Sequence, residues 1–377
     1  MSAIRERIER FGSIRFDEYV ELALYAPGEG FFATGGGAGR AGADFVTSPE
    51  VGPLFGAVVA RWLDRRWHEL GRPDPFVVVE AAAGRGALAI SVLHAQPECA
   101  PALRYVLVER SEELRARQGE HLAMSHPFEA LGPDHDPEVD APDQPVAGRG
   151  QGPIVCALED LPAAAIDGVV IANELLDNVA FRLLERTTRG WDEVRVTEAD
   201  GALVELLVPA DDDAAGMAEQ LVPDASVGAR VPLQREAGEW LRRALDTVRR
   251  GSVLVIDYAA SSAELATRPQ DEWQRTYRAH DRGGPALAAP GSQDITCEVA
   301  VDQLERVALV TARATQAEWL AEHGIDELVE EGRAAWAAAA GAPDLAAVRA
   351  RSRISEAEAL CDPTGLGAFA VLEWQRP

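Results

Sequence analysis

The sequence predicts an α/β fold of the nucleotide-binding kind, and three observations predict it. Phe76-Val77-Val78-Val79-Glu80 is an apolar run closed by an acid, as expected for a parallel strand buried on both faces. The run empties into a turn of small residues, Ala81-Ala82-Ala83-Gly84-Arg85-Gly86, whose backbone amides can come close to a ligand. A helical stretch follows from Ala87 to Leu93 with its N-terminus toward the turn. A second run, Arg104-Tyr105-Val106-Leu107-Val108, also ends in a carboxylate, Glu109, roughly 20 residues past the glycines, where dinucleotide folds grip a ribose diol.

Charge narrows the ligand. Pyrophosphate cofactors favour the full G-x-G-x-x-G pattern, whereas here Glu80 precedes a turn that retains only Gly84 and Gly86. An acid in that place repels phosphate and suits a ligand carrying an ammonium or sulfonium cation together with a ribose. S-adenosylmethionine has all three, so it is preferred to NAD. The bland reading of the same glycines is a tight strand-to-helix connection, since short glycine patterns are weak evidence alone.

Composition excludes several other classes. The chain of 377 residues is 47% hydrophobic, enough for a large core, and its net charge of −26 makes nucleic acid backbones and anionic membranes poor partners. Every basic residue is Arg. Without Lys there is neither a Schiff-base lysine nor a phosphate-loop lysine. Cys99, Cys156, Cys297 and Cys361 are far apart and lack ligand spacing, so zinc and a disulfide scaffold are not expected and a reducing cytoplasm fits. No signal for export or membrane insertion is seen in the sequence.

Taken in order, residues 1–10 read as an amphipathic helix, and Phe16 to Tyr25 as a second one stopped by Ala26-Pro27-Gly28. The glycine-rich stretch from Gly35 to Gly42 is a connector or a lid. Thr47-Ser48-Pro49-Glu50 offers an N-cap and a first-turn proline for one helix running to about Leu70, with its start pointing into the pocket. After the strand ending at Glu109, residues 131–152 form a polar insertion. A third strand over Pro153 to Leu158 ends in Glu159-Asp160, an acid pair that could accept an adenine amino group or simply be solvated. A fourth, from Asp167 to Ala172, delivers Asn173, Glu174 and Asp177 at its carboxyl end, where open α/β sheets place ligands.

Residues 181–208 read as an antiparallel meander with turns at Arg189-Gly190 and Asp200-Gly201. A helix over Arg235 to Arg249 precedes a fifth strand, Gly251 to Asp257, followed by Tyr258. Residues 273–296 look irregular and could cap the site with Tyr277, His280 and Gln293. A strand at Val307 to Thr311, helices near residues 316–320 and 345–359, and a strand at Leu366 to Leu372 complete the sheet. Glu174 and Asp177, three residues apart, share a face if the turn is helical and could then hold a guanidinium by charge-assisted hydrogen bonds. Alternatively Asp177 caps a helix and Glu174 faces solvent.

Seven ordered blocks carry a family resemblance: Tyr25 to Phe32, Asp44 to Glu50, Glu80 to Leu88, Val108-Glu109-Arg110-Ser111 with Gln118, Asn173 to Asp177, Ile256-Asp257-Tyr258, and Pro290 to Thr296. On these the chain resembles the MidA-like family of S-adenosylmethionine-dependent methyltransferases. The resemblance implies a class I methyltransferase fold, a Rossmann-like, seven-stranded and mostly parallel sheet. An N-terminal helical segment (1–45) precedes a domain (46–377) bearing a small added lobe from insertions near 181–208 and 259–300. It implies S-adenosyl-L-methionine as cofactor, with Thr47, Ser48, Glu80, Ala82, Gly84, Gly86, Glu109, Asp160 and Asn173 around it. Glu174, Asp177, Asn173 and His280 are the acceptor-side candidates.

Protein arginine methylation is the activity attached to the best-known member, so the partner would be a protein acceptor; a small metabolite acceptor and a non-catalytic assembly role are the alternatives. Two departures border the site. Ala82 stands where the family usually has its first glycine, and Asn178-Val179-Ala180 where it generally has Ala-Leu-Pro.

Overall fold

A computed structural model describes residues 2–36, 47–132, 146–278, 281–339, 341 and 344–377. His280, most of the glycine-rich stretch and the centre of the polar insertion lie outside the described residues. The chain divides into two compact units. One comprises 1–45, 174–242 and 257–309; the other comprises 46–173, 243–256 and 310–377.

The second unit is built on a seven-stranded sheet: β1 (Phe76–Ala81), β2 (Leu103–Val108), β3 (Ile154–Leu158), β4 (Ile166–Asn173), β5 (Val248–Asp257), β6 (Ala312–Thr315) and β7 (Ala370–Arg376). Its order is β3-β2-β1-β4-β5-β7-β6. The pairs β1–β2, β2–β3, β1–β4 and β4–β5 are parallel and β6–β7 is antiparallel. The order reverses between β1 and β4, so their carboxyl ends, with Ala81 opposite Ala172, form the crevice where such sheets bind ligands. Every residue of β1 and β2 is buried, which explains why both read as unbroken apolar runs.

Several boundaries differ from the sequence reading. The helix expected from residue 47 to 70 is two helices, Ser48–Val51 and Pro53–Glu69. Gly52 between them is extended, because Pro53 lacks an N–H and disfavours a helical residue before it. The helix Arg235–Thr247 ends sooner than expected and β5 starts at Val248. The strand expected at Val307 to Thr311 lies instead at Ala312–Thr315, a mostly exposed edge strand without an apolar run to mark it, and the last strand begins at Ala370 after a 3-10 turn.

In the first unit, helix Ala3–Phe11 is capped by the Ser2 side chain, which accepts from Arg5 N–H, and stops at Gly12 in a positive-φ conformation. The expected meander is present as strands Arg182–Thr187, Gly190–Ala199 and Ala202–Pro209. Ile14, Phe16, Tyr19, Leu24, Phe181 and Trp273 meet in one core there, with the Phe16 and Phe181 rings 5.4 Å apart. The described residues of 273–296 are more regular than their composition suggests, since Gln274–Arg278 pairs antiparallel with Asp294–Cys297.

Candidate functional site

The residues expected on the cofactor side lie at the carboxyl ends of β1 and β2. Glu80 is buried, and Tyr105 of the neighbouring strand donates its hydroxyl to Glu80 Oε2 at 2.7 Å. Val78 is directly opposite Tyr105 and Leu107 opposite Glu80, so the two polar side chains meet diagonally on one face of the sheet. Burial pushes the Glu80 carboxyl up to about 8, against the Tyr105 hydroxyl and the Ala89 N–H, which favour its anion.

Beyond β1 the turn winds through left-handed conformations at Ala82 (φ +57°), Gly84 (φ +53°) and Gly86 (φ +84°) before helix Ala87–His94. Glu109, just past β2, accepts from Gly84 N–H at 2.9 Å and from Ser111 N–H at 2.8 Å. Burial raises this carboxyl, and those two N–H groups pull the other way. Gln118 donates from Nε2 to the Gly84 carbonyl at 2.9 Å. The acid expected at the ribose position thus also shapes the glycine turn.

The remaining cofactor-side residues divide. Asn173 ends β4 beside the crevice. Ser48 is fully buried with its hydroxyl on Gln316 Oε1 at 2.9 Å, so that side chain packs the second unit's helices. Thr47 precedes the helix but gives it no side-chain cap. Asp160 is largely exposed and ion-paired with Arg243.

In the first unit the acids expected on one helical face are arranged differently. Glu174 has φ +52° and the chain then makes a 3-10 turn, Leu176–Asn178, so no α-helical face aligns Glu174 with Asp177. Asp257 holds this turn: Oδ2 accepts from Leu176 N–H at 2.9 Å and Asp177 N–H at 3.2 Å, and Oδ1 from Tyr258 N–H at 2.9 Å. Asn178 Nδ2 fastens its far end to Asp294 Oδ1 at 2.8 Å and to the Ile295 carbonyl at 3.2 Å.

Asp177 is 4% exposed and its Oδ1 is buried with no hydrogen-bond partner among the described residues. Burial pushes its carboxyl up to about 7, and burial with the charges of Asp177 and Glu174 raises Asp257 well above the carboxylate range. Burial, then Glu174, likewise raises the Tyr258 phenol. Gln293 is spent on bracing its own loop, accepting from Gly284 N–H and donating to the carbonyls of Pro285 and Ala288.

Sequence reasoning assigned no role to Tyr105, Gln118 or Asp257. Asp257 carries the signal that marked Glu80, an acid closing an apolar run. The other two depend on contacts with residues more than twenty positions away.

A sheet in this order, with an acid-and-glycine turn after β1 and a carboxylate after β2, is a doubly wound nucleotide-binding sheet of the arrangement that the resemblance to class I methyltransferases implies. A family model agrees over residues 58–318: the chain belongs to the S-adenosyl-L-methionine-dependent methyltransferases. It is 28% identical over 315 residues to a Drosophila melanogaster protein named protein arginine methyltransferase NDUFAF7 homolog, mitochondrial, covering 78% of this chain and 67% of that one. The human protein arginine methyltransferase NDUFAF7 is 26% identical, with 80% and 67% covered. Among solved structures, a Burkholderia thailandensis protein crystallised with S-adenosyl-homocysteine is 29% identical with a TM-score of 0.79, covering 99% of this chain and 91% of that one. S-adenosyl-L-methionine is therefore the cofactor, and the turn fits it. Apart from its chain neighbours, no protein atom lies within 4 Å of where a side chain on Gly84 would begin, so there is open space on that side of the turn.

Proposed function

We propose that this enzyme methylates arginine side chains of a protein acceptor, with Glu174 gripping the guanidinium. The observation that carries the reading is the Glu174 backbone, held at φ +52°. A non-glycine residue pays about 1–2 kcal/mol for that conformation, and such strain persists where neighbours over-determine it and clusters at functional sites. Here the next amides are fastened by Asp257. The names of the Drosophila and human relatives support the same acceptor.

The bound cofactor supplies a methyl group activated by a positive sulfur. The chain's part is to hold and orient. Glu80, Glu109 and the Gly84–Gly86 turn bind the cofactor, with Asn173 beside them, and Glu174 orients the acceptor nitrogen by charge-assisted hydrogen bonds. That nitrogen forms its bond to carbon as the sulfur–carbon bond breaks, and it sheds one proton. Asp177, pushed up to about 7, is a carboxyl suited to take it near neutral pH.

Methyl-labelled S-adenosylmethionine added with the purified enzyme to lysate of its host should place label in protein as methylarginine. Glu174→Gln should bind the cofactor almost normally and lose turnover by a factor on the order of 100 or more. Label found only among small molecules would replace the acceptor with a metabolite. Undiminished turnover in Glu174→Gln would remove the clamp.

A further inference from the structure

We infer that Gln118 is a positioning residue for the cofactor, fixing the peptide between Gly84 and Arg85 so that its N–H faces the ligand side of the turn; this rests on the cofactor assignment above. Gly84 is held on both sides. Its N–H goes to Glu109 Oε2 and its carbonyl receives Gln118 Nε2, each at 2.9 Å. A trans peptide is planar with its N–H opposite its C=O, so a carbonyl pulled toward buried Gln118 turns the Arg85 N–H the opposite way. The space next to Gly84 is open. Glycine gives this peptide little resistance to flipping, and a flip would present an oxygen where a donor is needed.

Gln118 is itself fully buried, and its Oε1 has no hydrogen-bond partner among the described residues. A buried polar side chain whose amide oxygen is left unpaired is costly as mere packing. Its retained bond is to the one glycine that Glu109 also holds. Gln118 follows helix Glu112–Arg117, which Ser111 caps by accepting from Leu114 N–H, while Ser111 N–H in turn goes to Glu109. Glu109, Ser111 and Gln118 thus form one brace on the turn, drawn from the segment that follows β2.

The test is titration calorimetry with S-adenosylhomocysteine on the full chain, alongside thermal melts. Gln118→Met removes the donor at similar volume and should weaken binding about tenfold while the ligand-free Tm stays within a few degrees. Gln118→Glu sets an acceptor against the Gly84 carbonyl. It should bind more weakly still at pH 8 and recover, relative to wild type at the same pH, near pH 5.5, where the introduced carboxyl regains a proton and can donate. A role in packing alone predicts no such recovery. Wild-type affinity in Gln118→Met, or a pH-independent ratio for Gln118→Glu, would overturn the assignment. Should Gln118→Glu fail to fold, Gln118→Met decides. Wild-type protein that binds no S-adenosylhomocysteine would instead overturn the cofactor reading beneath it.

Discussion

Ala82 occupies a backbone conformation that its methyl group resists, with φ +57° on the exposed rim of the turn. The family glycine at this position is therefore explained by dihedral preference as much as by space for a ligand. Ala82→Gly should relieve strain and raise unfolding free energy by about 1 kcal/mol, read as a higher urea midpoint at unchanged slope. A lower midpoint would show that the alanine methyl packs usefully. At this scale the sequence was partly legible. Glu80 and Glu109 announce themselves as acids closing buried runs. The left-handed Glu174 does not, because a non-glycine residue at positive φ leaves no compositional trace and depends on Asp257, some eighty positions away.

At the scale of the element, the 3-10 turn Leu176–Asn178 is one place where the chain departs from the family it resembles. Asn178, where the family generally has alanine, makes two buried hydrogen bonds to the strand Asp294–Cys297. Asn178→Ala should lower stability by about 1–3 kcal/mol in urea denaturation, the range for losing buried hydrogen bonds to a carboxylate and a carbonyl. A loss below about 0.5 kcal/mol would mean the latch is replaced by solvent. Elements whose apolar period is strong, β1, β2, β4 and β5, were readable because burial on both faces leaves no polar alternation to confuse them. The edge strand Ala312–Thr315 was misplaced because three of its four residues are exposed. The helix Ile325–Ala338 was missed in an alanine-rich stretch, where few residues mark a face.

For the whole molecule, buried acids govern how stability varies with pH. Glu80, up to about 8, and Asp177, up to about 7, have folded-state values above their unfolded ones, so the folded protein binds more protons. Their contribution is full below about pH 4 and is lost as pH rises toward 8. Asp167 and Asp211, held low by arginines and a backbone N–H, act in the opposite sense, but only below about pH 4. The cofactor-free protein should therefore melt several degrees lower at pH 8.5 than at pH 6, and Glu80→Gln should flatten that slope. A Tm that stays level or rises over this interval would overturn the raised folded-state values of both acids.

The interleaving of the two units also bears on how the polypeptide is made. The first unit draws on residues as late as 309, and the second places β7, residues 370–376, in the interior of its sheet between β5 and β6. Vectorial folding, in which an N-terminal domain closes while the rest is still being translated, is thereby denied to both. The glycine turn near residue 84 emerges from the ribosome long before the sheet around it can close, so the nascent chain must keep the apolar runs of β1 and β2 from aggregating until nearly all of it has been synthesised.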